Sequence, residues 1–265
     1  MALKDALQMI SASDTGMVRD LNEDAIELRP ELGVAVLADG MGGYNAGEVA
    51  SGMAVSLIAA GVAKRWNADA LRALDRAAAV SMSQDVLQEQ IKEANAAILA
   101  KAQGDADCEG MGTTLVACMF YDDFVTVGHA GDSRLYRLRD DVLEQITRDH
   151  SLLQEQIDSG MIRKEDAHLS SNRNFITHAV GVDPDERGEI HTYDVLAGDL
   201  YLICTDGLYG MVEDEEIHMT LGALKANLDL AAQQLIQAAN DAGGNDNVSL
   251  VLVHVLKSFA GHGLA

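Results

Sequence analysis

The 265-residue sequence predicts an α+β fold built on antiparallel sheets, on three observations. Short runs of β-favouring residues, separated by Asp-Asp and Gly-containing turns, follow one another between residues 113 and 147. Two apolar runs end at an Asp-Gly pair, Asp39-Gly40 and Asp206-Gly207. Helix-forming residues dominate positions 47–102 and 213–242, with apolar side chains recurring at helical spacing.

Taken in order, residues 7–18 read as a first strand ending in the loop Ser13-Asp14-Thr15-Gly16. A short strand over 25–28 turns at Arg29-Pro30-Glu31-Leu32 and returns over 34–37, the lead-in to Asp39-Gly40-Met41-Gly42-Gly43. Asn45-Ala46-Gly47-Glu48 opens a capped helix that runs to Trp66. A second helix spans about 68–102, with Ala73, Ala77, Val80, Val86 or Leu87, Ile91, Ala94 and Ile98 turned to a sheet. Beyond a glycine-containing connector, strands over 113–121, 124–129, 135–139 and 143–147 make an antiparallel meander turning at Asp122-Asp123 and Asp140-Asp141. Residues 150–182 break this rhythm and read as a mobile flap inserted beside a cleft. Strands over 188–195 and 199–205, a helical pair over 213–242 and a last strand over 248–255 complete one domain, residues 1–258, with 259–265 as a tail.

Composition narrows the function. Nineteen basic against 42 acidic residues give a net charge of −23, which argues against nucleic acid and anionic membranes as partners. Cys108, Cys118 and Cys204 lack CxxC spacing, and the last two lie inside apolar strands, as buried reduced thiols do. The N-terminus has no basic segment followed by an apolar core, and no run reaches transmembrane length, so a cytoplasmic protein is expected.

The carboxylates carry the chemistry. Asp39 and Asp206 stand at strand exits and Asp246 at a strand entrance, which puts all three on one sheet edge if the last strand runs antiparallel to the others. Counting outward from the turn at 29–32 places Glu23 or Asp24 opposite Asp39. Like charges so gathered are unfavourable unless cations hold them, which predicts a hard-metal site. Arg19 has the reach to grip phosphate oxygens as a bidentate fork. Asp132 reads equally as a turn cap, Arg134 as a structural ion-pair partner, and His150 and His178 lack any neighbouring nucleophile motif.

The ordered set Arg19-Asp20-Leu21-Asn22-Glu23-Asp24, Leu37-Ala38-Asp39-Gly40-Met41-Gly42-Gly43, Gly110-Met111-Gly112-Thr113-Thr114, Gly131-Asp132-Ser133-Arg134, Thr205-Asp206-Gly207-Leu208 and Gly244-Asn245-Asp246-Asn247 resembles the metal-dependent protein serine/threonine phosphatases of type 2C in their compact bacterial form. The resemblance spans nearly the whole chain. It implies a four-layer α-β-β-α sandwich and removal of phosphate from phosphoserine and phosphothreonine with two manganese or magnesium ions, in reverse of a bacterial serine/threonine kinase. Carried over, Asp39 bridges two ions, Asp206 and Asp246 hold one, the Gly40 carbonyl holds the other, and Glu23 or Asp24 serves the same shell. Arg19 is implied to contact phosphate, Asp132 to hold a weaker third ion, and hydroxide between the ions to attack phosphorus directly. The chain departs from the pattern at His178, where such relatives carry arginine. A monomer is expected. A binding module that had lost catalysis would lack some of these carboxylates, and a nuclease would not suit the charge.

Overall fold

In the computed structural model, which describes residues 3–43, 46–66, 74–170, 172 and 175–261, the chain runs β1 (Leu7–Asp14), β2 (Asp24–Arg29), β3 (Val34–Met41), α1 (Ala46–Arg65) and α2 (Arg76–Gly104). Then come β4 (Gly112–Thr113), β5 (Leu115–Tyr121), β6 (Phe124–Ala130), β7 (Arg134–Arg139), β8 (Val142–Gln145) and α3 (Leu152–Asp158). The last part is β9 (Glu189–Asp194), β10 (Leu200–Cys204), α4 (Asp206–Tyr209), α5 (Asp214–Leu224), α6 (Leu228–Asp241) and β11 (Val248–Val255).

Every strand pair is antiparallel, and the strands divide into two sheets. The first has the order β1-β11-β10-β7-β8, the second β2-β3-β5-β6-β9, with β4 beside β3. Side chains along a strand alternate between faces, so a strand buried on both sides needs apolar residues throughout. In β10, Tyr201 and Ile203 join the core between the sheets, while Leu200, Leu202 and Cys204 pack with α5 and α6. In β11, Val251, Val253 and Val255 take the inner side and Leu250 and Leu252 the outer. Helices α1 and α2 cover the second sheet, which completes the α-β-β-α sandwich that the family resemblance implies.

Local signals account for most boundaries. Asp122, Asp123, Asp140 and Asp141 all have positive φ, as two-residue hairpin turns require, and short polar side chains tolerate that region best. The Asp75 carboxylate caps α2 by accepting from Ala78 N–H at 2.8 Å, and Asn227 caps α6 likewise through Leu230 N–H. Along α1, Ala46, Ala50, Ala54, Ile58 and Val62 recur every fourth residue and are all buried. This helix also has the length and hydropathy of a membrane span, contrary to the sequence expectation, but it packs on β3 and α2 as a core helix. All three cysteines are free and buried.

Three expectations are corrected. The meander over 113–147 is not one sheet: β5 and β6 belong to the second sheet and β7 and β8 to the first, because Gly131, at φ 98°, turns the chain across. Strand β3 does not stop at Asp39 but runs on to Met41, since β4 offers Gly40 and Met41 a partner after β5 has left the ladder at Leu37. In α2, Ala77 is exposed and Ala79 takes the buried position. The turn α4 had no signal in the sequence. Asn45, the expected cap of α1, and residues 68–73 of the expected second helix, with Ala73, lie outside the described residues, as do 171, 173 and 174 of the flap. The flap is pinned by isolated bridges Ser151↔Ile176 and Thr113↔Val180. Phe259, at the start of the expected tail, is fully buried.

Candidate metal centre

The carboxylates converge where the two sheets meet. Asp24 and Asp39 face each other across the β2–β3 ladder of the second sheet, with Glu23 immediately before β2. Asp206 opens α4 directly after β10, and Asp246 stands two residues before β11, both on the first sheet. Asp132 sits in the loop that carries the chain from one sheet to the other. The expected single sheet edge is therefore corrected to a rim formed by two sheets, because β3 and the β10–β11 pair lie in different layers. Asp132, Asp206 and Asp246, with Gly207, Tyr209 and Asn245, line a cleft of about 150 Å³.

Neighbouring polar groups hold these backbones in place. Asn247 ties three segments together: its side-chain N–H groups donate to the Thr15 and Leu21 carbonyls at 2.9 and 2.8 Å, and its Oδ1 accepts Glu23 N–H at 2.8 Å. The Asp39 carbonyl accepts from Thr113 Oγ1 and Thr114 N–H, both at 2.8 Å, and Asp39 N–H donates to Thr114 Oγ1. Gly40 N–H donates to the Glu23 carbonyl at 3.1 Å. A Cβ on Gly40 would strike the Gly47 carbonyl, and one on Gly47 would come within 2.5 Å of Glu23 Oε1. Only glycines let the start of α1 approach this closely.

Electrostatics mark the rim as strained without cations. Burial first, then Asp206 and Asp246, push the Asp24 carboxyl up to about 7. Burial, Asp206 and Asp149 push Asp132 to about 7, and burial with Asp246 pushes Asp206 to about 6. Asp39 is held well above the usual range by burial and by Asp24, Asp206, Asp132 and Asp246 together. Two unit charges 4 Å apart repel by about 4 kcal/mol at an effective dielectric near 20. Against this stand two arginines. Arg19 Nη2 donates to Asp246 Oδ2 at 2.7 Å, and Arg134 is committed to Asp149. Glu23 Oε1 and Asp24 Oδ1 are buried and have no hydrogen-bond partner among the described residues. Carboxylate and carbonyl oxygens with unmet lone pairs and no sulfur or imidazole fit hard divalent cations such as manganese or magnesium.

The structure thus brings Glu23, Asp24, Asp39, Gly40, Asp132, Asp206, Asp246 and Arg19 to one place. Arg134 is the ion-pair residue that the sequence suggests: it holds Asp149 in a bidentate fork at 3.0 and 2.7 Å and lies 3.6 Å above the Tyr209 ring. Tyr209 in turn donates its hydroxyl to the Asp132 carbonyl at 3.0 Å. Sequence reasoning missed Asn247, Thr205, Asp149 and Tyr209 as supports of the rim. Asn247 and Thr205 lie inside quoted motifs beside a carboxylate, which was their signal, whereas nothing local marks Tyr209. His150 and His178 bond Glu189 and Glu186, at 3.1 and 3.0 Å, on the flap side.

Comparison with known proteins adds an independent line. The family model described as protein phosphatase 2C matches residues 18–246. The serine/threonine phosphatase stp of Listeria innocua is 36% identical over 244 residues, covering 91% of this chain and 93% of that protein. The phosphatase PstP of Mycobacterium tuberculosis is 38% identical over 251 residues, 94% of this chain but 45% of that longer protein. The crystal structure of the M. tuberculosis phosphatase superposes with a TM-score of 0.82 at 36% identity, covering 94% of this chain and 98% of that one. The PstP catalytic domain in complex with two manganese ions gives 0.78 at 35% identity, over 95% and 99% of the two chains. With a family match over most of its length and relatives more than a third identical over nine-tenths of it, the chain belongs to the protein phosphatase 2C family.

Proposed function

We propose that the rim is the catalytic centre and that its residues divide the work as follows. The protein is a metal-dependent serine/threonine phosphatase, a phosphoric monoester hydrolase acting on phosphoproteins. Asp39, central to the cluster, would serve two divalent ions in common with Asp206 and Asp246 on one side and the Gly40 carbonyl with Glu23 or Asp24 on the other. Asp132 contributes to a weaker third position next to Asp206. Manganese or magnesium bound there supplies positive charge to the phosphoryl oxygens and lowers the pKa of water. Arg19 bonds Asp246 through Nη2 and is half exposed, so its remaining N–H groups would be open to phosphate oxygens. Asp246 keeps Arg19 near the ions, which orients substrate for in-line displacement. The buried thiols take no part, since burial raises Cys118 and Cys204 far from the thiolate form.

The observation that carries this reading is the pair of partnerless buried oxygens, on Glu23 and Asp24, inside a like-charge cluster. We further propose that the protein acts as a cytoplasmic monomer, one domain over 1–258, reversing a serine/threonine kinase, with neither nucleic acid nor membrane as partner. The test is hydrolysis of p-nitrophenyl phosphate and a phosphothreonine peptide before and after chelation. Turnover that vanishes on chelation and returns with manganese supports the reading. Full turnover in protein shown to be metal-free by elemental analysis contradicts it.

A further inference from the structure

A second cluster of ligand-type side chains lies at the base of the flap. His129 on β6 and Glu189 on β9 are direct cross-strand partners in the second sheet, so register alone places them side by side. His150, at the start of the flap, stacks on His129 with ring centroids 4.6 Å apart and meets Glu189 Oε2 through Nε2 at 3.1 Å. One ligand atom from each of the three falls within 4.8 Å of the others. The His150 backbone is fixed as well, its N–H donating to the Gly131 carbonyl at 2.9 Å.

We propose that His129, His150 and Glu189 form a zinc site that staples the flap to the second sheet. The donor set is imidazole, imidazole and carboxylate, a combination that suits zinc, whereas the carboxylate rim suits manganese and magnesium. Surrounding groups support His129 and Glu189 as metal-binding side chains are usually supported. His150 Nδ1 instead faces Gly131 N–H at 3.4 Å, so the His150 ring must swing off that N–H and move its proton to Nδ1 to offer Nε2 to zinc. His129 Nε2–H donates to the Arg148 carbonyl at 3.0 Å, which leaves the lone pair of a neutral ring on Nδ1. Burial lowers the His129 pKa, which keeps that ring neutral. Glu189 Oε1 is held by His191 Nε2 at 2.5 Å, leaving Oε2 toward His150. Two ligands on a tetrahedral zinc lie about 3.4 Å apart, so the three groups need to draw in by about an ångström. A cleft of about 550 Å³, lined by His150, Glu189, His178 and Glu186, gives an ion access from solvent. His178, its ring 4.8 Å from that of His150, is the nearest further donor for the remaining position.

The test is zinc content after equilibrium dialysis of the folded protein in excess magnesium, comparing wild type, Asp39→Asn, Glu189→Gln and His129→Gln. Asp39→Asn weakens the rim, so zinc bound there falls while zinc at the flap is kept. One zinc ion retained in wild type and in Asp39→Asn, with affinity at least tenfold weaker in Glu189→Gln, is the expected result. Because His129 is buried and its replacement risks the fold, a second measurement on wild type follows the imidazole proton resonances during zinc addition. Those of His129 and His150 should shift together at one equivalent. Zinc that is lost in Asp39→Asn but unaffected by Glu189→Gln, no bound zinc at all, or imidazole signals that do not move, would overturn the proposal.

Discussion

At the scale of single residues, the difference between a ligand and a support decides what a substitution does. Asp39, near the end of β3, and Asp206, at the start of α4, belong to the carboxylate rim, so replacing either by asparagine removes charge from the centre and little from the core. Turnover in Asp39→Asn and Asp206→Asn should fall on the order of a thousandfold, with an unchanged circular dichroism spectrum. A tenth of wild-type turnover at saturating manganese would contradict the assignment. Asp132 is buried beside Asp206 but on a separate loop. Asp132→Ala should therefore keep the two central ions while kcat drops, and a lowered melting temperature with unaltered kcat would return Asp132 to a turn-capping role. These residues were legible because Asp-Gly after an apolar run is a local pattern, and because counting back from the 29–32 turn needs only hairpin register. That count left Glu23 and Asp24 open, and the structure puts Asp24 opposite Asp39. Tyr209 and Asp149 were not legible, since their roles rest on contacts with Asp132 and Arg134 that are far apart in sequence.

At the scale of elements, the loop between β6 and β7 does more than its length suggests. It moves the chain between sheets, carries Asp132, and leads into Arg134, whose pairing with Asp149 fixes the start of β7 against the start of the flap. Both partners are largely buried, with side-chain exposures of 20% and 9%. Removing one partner of such a pair leaves an uncompensated charge, a loss of about 3 kcal/mol. Asp149→Ala should accordingly shift the urea midpoint downward by that equivalent, and a midpoint equal to wild type would show the pair to be dispensable. The sequence foresaw the strands here but not their division, because a run of short strands with tight turns reads the same whether one sheet or two receives it.

For the whole molecule, the rim sets stability against charge. A carboxyl whose folded pKa is raised binds more protons folded than unfolded between the two values, so its contribution to stability falls as pH rises through that window. For Asp24 the window runs from its ordinary value near 4 to about 7. In metal-free protein, Asp24→Asn should melt close to wild type at pH 5 and above it at pH 8, where the wild-type carboxylate is charged and partnerless on one oxygen. Equal melting temperatures at both values would mean that the rim is not under electrostatic strain. The layered architecture was legible from the helical and strand periodicities together with the family resemblance. That the site lies between sheets was not, since periodicity reports which face of an element is buried and not which layer it joins.

The central claim is that the carboxylate rim holds the metal ions on which hydrolysis depends. The measurement that tests it most directly is manganese stoichiometry of chelator-stripped protein, determined together with turnover of a phosphothreonine peptide, for wild type and Asp39→Asn. Wild type should bind two ions tightly, with turnover rising as the second is filled. Asp39→Asn should bind fewer than two and turn over substrate on the order of a thousandfold more slowly. Two tightly bound ions in Asp39→Asn, with turnover near that of wild type, would contradict the account.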